Sequence, residues 1–178
     1  FLTNAPNNQF ANIEDYGTLA FLSTPNTAFT PALSTIAKFQ IIMLDDTGSQ
    51  LGATIEIDNT DANGGWTNWD AHANKQLTFF GCFPANLRNH SAAFIAQIPN
   101  LSSYFVQARS AAGATISDRI TININCPTLK GYEPIRLTWL NQWGVWDYYT
   151  FNMKSTKTTS TKGSTYEQLE GTWNESIY

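Results

Sequence analysis

Residues 131–154, GYEPIRLTWLNQWGVWDYYTFNMK, hold Tyr132, Trp139, Trp143, Trp146, Tyr148, Tyr149 and Phe151, the densest aromatic run in the chain. Two alternating stretches flank a short polar step, the signature of a β-hairpin. On the first arm Ile135, Leu137 and Trp139 alternate with Arg136, Thr138 and Leu140. On the second, Val145, Asp147, Tyr149, Phe151 and Met153 share one face. Trp146, Tyr148, Thr150, Asn152 and Lys154 take the other, because successive strand side chains point to opposite sides. Asn141, Gln142, Trp143 and Gly144 make the turn, where glycine supplies a positive φ at no steric cost. Large apolar groups on both faces need cover from a second sheet, another domain or another subunit. Trp139, Trp146, Tyr149 and Phe151 are therefore expected to be mostly buried, with at least one face covered by something other than residues 34–127. Trp143 joins them as an assembly or packing residue. Arg136 and Asp147 lie on opposing arms and are expected either to pair across the strands through charge-assisted hydrogen bonds or to point to solvent at the rim.

Working outward, 178 residues suffice for one large domain or two small ones with a real core. Charged residues make up 13% of the chain, about half the usual share of roughly 25%. Thr, Ser, Asn and Gln build the polar surface instead, as suits a β-rich protein that packs against neighbours. The net charge of −4 provides no basic footprint for nucleic acid. No apolar run reaches the roughly 20 residues of a membrane-spanning helix. The chain opens on Phe1 and closes on Tyr178 just after an aromatic-rich stretch, and we read it as processed or, preferably, as a piece of something longer.

Residues 1–33 are rich in Pro and Asn and read as an extended N-terminal arm with one short strand, Thr18 to Leu22. A β-hairpin follows: Ile36 to Leu44, a turn at Asp45-Asp46-Thr47-Gly48, and Leu51 to Ile57. Asn74 to Leu87 reads as a strand broken at Pro84, and Asn89 to Pro99 as a strand or one helical turn. Tyr104 to Arg109 and Arg119 to Asn125 complete about seven strands. Turns every 8–12 residues or so are the spacing of an immunoglobulin-like β-sandwich. The expectation is an all-β chain: an arm over 1–33, an immunoglobulin-like sandwich over 34–127, and the aromatic hairpin with the C-terminal segment over 128–178, either an appendage of the sandwich or the start of a further, truncated domain. Residues 155–163, STKTTSTKG, read as a strand or linker, and Tyr166, Leu169, Trp173 and Tyr178 restore an apolar signal.

Candidate chemistry is sparse. Asp58, Asp61 and Asn63 before Gly64 resemble an oxygen-rich calcium loop only faintly, with neither EF-hand spacing nor a closing glutamate. Asx-rich turns of this kind satisfy local backbone donors. Cys82 and Cys126 allow one disulfide, and free buried thiols are the preferred reading. His72 and His90 are far apart and no CxxC occurs, which argues against a structural zinc site. No nucleophile elbow, phosphate-binding glycine loop or carboxylate pair suited to glycoside hydrolysis is present, so neither catalysis nor a cofactor is expected. Trp66 and Trp69 in the glycine-rich loop, or Trp143 and Trp146 at the turn, form an alternative stacking platform for sugar rings, weighed against plain core or interface packing. Asn-x-Ser/Thr triplets at Asn89, Asn100 and Asn174 arise by chance in so Asn- and Thr-rich a chain.

FLTNAP at the start, LTFFGCFPANL in the middle, the strand ending in Cys126 and YEPIRLTWLNQWGVWDYYTFNMKS together resemble virion structural proteins of tailed bacteriophages, of the marine and Bacteroidetes-infecting kind. In that family an RLx(W/F)LNxxGx(W/F)DYxxF run follows an immunoglobulin-like segment. The resemblance implies a non-enzymatic building block of capsid, neck or tail. It would be assembled in the host cytoplasm, with other virion subunits as partners in a homo-oligomer or multi-protein assembly. The alternative is a carbohydrate-binding or adhesive module of a phage fibre or bacterial surface protein, with a glycan partner and an extracellular location.

Overall fold

The computed structural model describes residues 1–22, 36–59, 67–68, 77–124, 134–151 and 158–163. Its longest strands arise where the sequence alternates. β3 (Lys38–Leu44) turns at Asp45 into β4 (Gln50–Asp58). The turn is held by Asp45, whose Oδ1 accepts from the Thr47 hydroxyl at 2.7 Å and from the Thr47 and Ser49 backbone N–H groups at 2.9 and 2.8 Å. Phe39, Ile41 and Met43 face inward with Val106 and Ala108 of β7 (Ser103–Arg109) and Ile120 and Ile122 of β8 (Ile120–Ile124).

The N-terminal residues, expected as an arm, are built into this sheet. β1 (Asn8–Ala11) runs parallel to β8, with Gln9 opposite Ile122 and Ala11 opposite Ile124. The result is a five-stranded mixed sheet in the order β1-β8-β7-β3-β4. A smaller sheet of β2 (Thr18–Leu22), β6 (Leu77–Gly81) and β5 (Thr67–Asn68), in the order β2-β6-β5, supplies part of the opposing layer. Phe80 stacks on Phe39 with ring centroids 4.3 Å apart, and Phe21 lies 4.7 Å from Phe39. Offset aromatic contacts of this kind add to the burial term.

Two short helices complete the cover; the first was not expected from the sequence, and the second is the helical one of the two alternatives left open for residues 89–99. α1 (Pro84–His90) starts on its proline, whose missing N–H costs nothing in the first turn. The strand expected from Asn74 with a break at Pro84 ends a little earlier, at Gly81, and Pro84 opens a helix. α2 (Ala92–Gln97) is capped by Ser91, whose hydroxyl oxygen accepts from the Phe94 N–H at 3.1 Å. Leu87 and Phe94 enter the core from these helices, and the Tyr104 hydroxyl donates to the Cys82 carbonyl at 2.7 Å. The chain is thus mostly β. An immunoglobulin-like sandwich is not shown: the large sheet carries a parallel pair, and helices share the layer that packs on it.

The hairpin forms as the alternation requires. β9 (Ile135–Leu140) and β10 (Trp146–Phe151) pair antiparallel, with Trp146 opposite Leu140 and Phe151 opposite Ile135. β10 packs against β1 and β2.

Candidate functional site

The hairpin has an anchored side and an open side. Arg136, Tyr148 and Thr150 point at the body. The Arg136 guanidinium donates to Asp15 Oδ2 at 3.1 Å, to the Thr150 hydroxyl at 2.8 Å and to the Tyr16 carbonyl at 2.6 Å. It also lies over the rings of Phe83, at 4.8 Å, and Tyr148, at 5.2 Å. Thr150 donates in turn to Asp15 at 2.9 Å, and the Asn12 N–H reaches the same carboxylate oxygen at 2.8 Å. Burial lowers the Arg136 pKa from its ordinary value and the Asp15 charge pulls it back up. Gly17 makes this closeness possible: a Cβ there would meet the Phe83 ring at 2.7 Å and the Arg136 guanidinium at 3.0 Å.

A second anchor grips the hairpin near its turn. Asp147 is buried; its carboxylate accepts from the Thr3 hydroxyl at 2.6 Å, the Asn4 N–H at 2.7 Å and the Asn141 amide at 3.1 Å. Asn141 is the hub of the turn. Its side-chain oxygen accepts from the Trp143 and Val145 N–H groups, its amide donates to the Leu2 carbonyl at 2.9 Å, and its backbone pairs with Val145 and Gly144. Gly144 adopts φ 74°, as the turn demands.

These contacts correct the expected Arg136–Asp147 pair. The register sets Arg136 opposite Thr150 and Asp147 opposite Trp139, so alternation sends the two side chains to opposite faces. Each finds its partner in the N-terminal segment instead, more than 120 residues away.

The open side is apolar. Ile135 (36% exposed), Leu137 (48%) and Phe151 (48%) lie on it with half-buried Trp139 and Tyr149. Tyr149 meets Phe151 edge-on, with centroids 4.8 Å apart. At the tip, Leu140 (58%), Trp143 (47%) and Trp146 (54%) project from the body. The expectation that Trp146 and Phe151 are mostly buried is therefore not met within this chain, because the body covers the Arg136–Tyr148–Thr150 stretch of one face and, through Thr3 and Asn4, Asp147 on the other, leaving both of those rings outside the covered parts. Trp139 and Tyr149 are covered in part.

Trp66, Trp69 and Cys126, and Asp61 and Asn63 of the acidic loop, lie outside the described residues. Cys82 is a buried free thiol, and burial raises its pKa well above the ordinary range, which keeps it protonated and unreactive. Among the described residues no three His, Cys, Asp or Glu side chains are grouped to hold a metal ion, and no helix is long and apolar enough to cross a membrane. No family model, curated protein or solved structure matches this chain.

Proposed function

We propose that the protein is a non-enzymatic structural subunit of a bacteriophage virion, in capsid, neck or tail, that assembles with other subunits through its aromatic hairpin. The observation that carries this reading is a hairpin fixed to the body by two buried polar anchors yet exposing Leu137 and Phe151 on its far side. Rigid mounting suits a contact surface: a partner that docks there need not pay to order it. The low share of charged residues supports dense packing among neighbours, and the phage assignment rests on the resemblance of residues 132–155 to such proteins. A glycan-binding role remains the alternative, since Trp143 and Trp146 expose ring surface at the tip.

The test is the double substitution Leu137→Asp with Phe151→Ser. Both side chains are about half exposed, so the isolated chain should unfold within about 1 kcal/mol of the wild type. Incorporation into particles should fail. Normal incorporation of the folded variant contradicts the proposal, and loss of glycan retention with intact assembly points to the alternative.

A further inference from the structure

The edge of a sheet is a row of unpaired N–H and C=O groups that another chain can pair with, and proteins blunt the edges they do not use. Among the described residues this chain blunts all but one. β4, the outer strand of the large sheet, carries Gly52 at φ 64° near its start and acidic Glu56 and Asp58 towards its end. Its pairing with β3 shifts register between Ile41 and Met43, and Gln97 of α2 lies 3.2 Å from where a Cβ on Gly52 would stand. β1, at the other edge, has β10 packed beside it. In the small sheet, the Ala20 carbonyl of β2 accepts from the Leu2 N–H at 2.9 Å, and β5 is only 2 residues long. β9 has none of these devices. It is the outer strand of the hairpin, because the body packs on β10. Its sequence, IRLTWL, holds neither lysine nor proline and pairs with β10 in unbroken register.

The hydrogen bonding of the hairpin fixes which backbone groups face outward. The Asn141 N–H donates to the Val145 carbonyl at 2.9 Å, so these residues form a bonded pair. Antiparallel pairs alternate between bonded and non-bonded. The register therefore makes Trp139–Asp147, Leu137–Tyr149 and Ile135–Phe151 the bonded pairs of the hairpin. Arg136, Thr138 and Leu140 aim their N–H and C=O groups at the free edge, and among the described residues no group bonds to those backbone atoms. The side chains of Thr138 and Leu140 are exposed although they share a face with Arg136, so the body leaves room beneath this part of the strand. The one charge on β9, the Arg136 guanidinium, is already engaged by Asp15, Thr150 and the Tyr16 carbonyl. A second β9 laid along this edge therefore meets no opposing charge. The strand is its own complement.

Resting on the structural-subunit reading, we propose that two copies of this chain join β9 to β9, antiparallel about a two-fold axis at Thr138, into one sheet in the order β10-β9-β9-β10. Such an isologous contact pairs the same patch on both copies. With Thr138 opposite the partner's Thr138, Arg136 falls opposite the partner's Leu140, and every outward-facing residue of both strands finds a bonded partner. That gives about six main-chain hydrogen bonds, two from each bonded pair, within the roughly 5–15 direct bonds of a typical interface. The threonine pair is itself a favourable cross-strand contact. On the other face Leu137 falls beside the partner's Trp139, and the exposed Ile135, Leu137 and Phe151 of both copies join into one apolar surface. The hairpin tips point in opposite directions and do not collide. The dimer thus offers a doubled apolar face to the next subunit.

Sedimentation velocity of the full 178-residue chain from micromolar to millimolar concentration should show a monomer–dimer equilibrium. Amide exchange followed by NMR should show the Arg136, Thr138 and Leu140 N–H groups gaining about tenfold protection or more as the dimer forms. Leu137 and Trp139, bonded within the hairpin already, should change little. Thr138→Lys and Thr138→Glu alter an exposed side chain, and each sets like charges face to face on the axis, weakening dimerisation about tenfold or more. An equimolar mixture of the two variants sets opposite charges face to face and should dimerise within about threefold of wild type. A dimer in which those amides gain no protection overturns the proposal. So do variants that dimerise as readily as wild type, or a mixture that stays as weak as its parts. A wild-type chain that is monomeric at millimolar concentration also overturns it. If that monomer enters particles in a manner dependent on Leu137 and Phe151, the structural-subunit reading stands without the dimer.

Discussion

Replacing Arg136 by Met preserves an aliphatic stem over Phe83 and Tyr148 but removes the guanidinium that ties the hairpin to the body. The hydrogen bonds to Asp15, Thr150 and the Tyr16 carbonyl vanish together. Asp15 keeps the Thr150 hydroxyl and the Asn12 N–H but loses its cation. Breaking a buried ion pair from one side costs about 3–5 kcal/mol, chiefly because the surviving charge stays desolvated. With side chains 20% and 12% exposed, some water remains in reach, and the lower end, about 3 kcal/mol, is expected. Urea denaturation measures the total. Hydrogen exchange should localise the loss to β9 and β10. The companion variant Arg136→Met with Asp15→Asn leaves no buried charge and should recover about half of the loss, giving a coupling energy above roughly 1 kcal/mol. A single-variant loss below about 1 kcal/mol, or additive losses in the pair, would refute the claim that this contact mounts the hairpin.

Other consequences follow from the same contacts. Asn141→Ala removes the side chain that serves Trp143, Val145, Leu2 and Asp147, and should cost about 2–3 kcal/mol by stranding buried partners; thermal denaturation with amide exchange of residues 141–146 checks it. The Asp45 carboxyl is held below its usual pKa, first by the Thr47 hydroxyl and then by the Ser49 N–H. Because the folded pKa is the lower one, its contribution is fully present above the unfolded pKa and is lost as pH falls through the folded pKa. Thr47→Ala should therefore raise the Asp45 titration midpoint in a side-chain carboxyl NMR titration and flatten the acid side of the stability profile.

Local periodicity made much of this fold legible. The hairpin of β9 and β10, its turn at 141–144 and the β3–β4 pair are all set by neighbouring residues: alternation, Asx turns and a glycine at positive φ. The first helix was missed, and the second left open against a strand, because residues 84–97 are short and dominated by small apolar side chains, although Pro84 and Ser91 are both helix-start signals. The parallel β1–β8 pair joins residues more than 110 apart and leaves no local trace. For the same reason alternation alone showed that both hairpin faces are apolar but not which would be covered. That was decided by Asp15 and Thr3, contributed from a segment with no periodic signal of its own.

As proposed contact surfaces, the hairpin's outer face and tip are exposed in the free chain and should be covered in the assembled state. Hydroxyl-radical footprinting of Leu137, Trp143, Trp146 and Phe151 in both states measures this directly. All four should oxidise readily in the isolated chain, and at least Leu137 and Phe151 should be protected in the particle. Equal reactivity in the two states would contradict it.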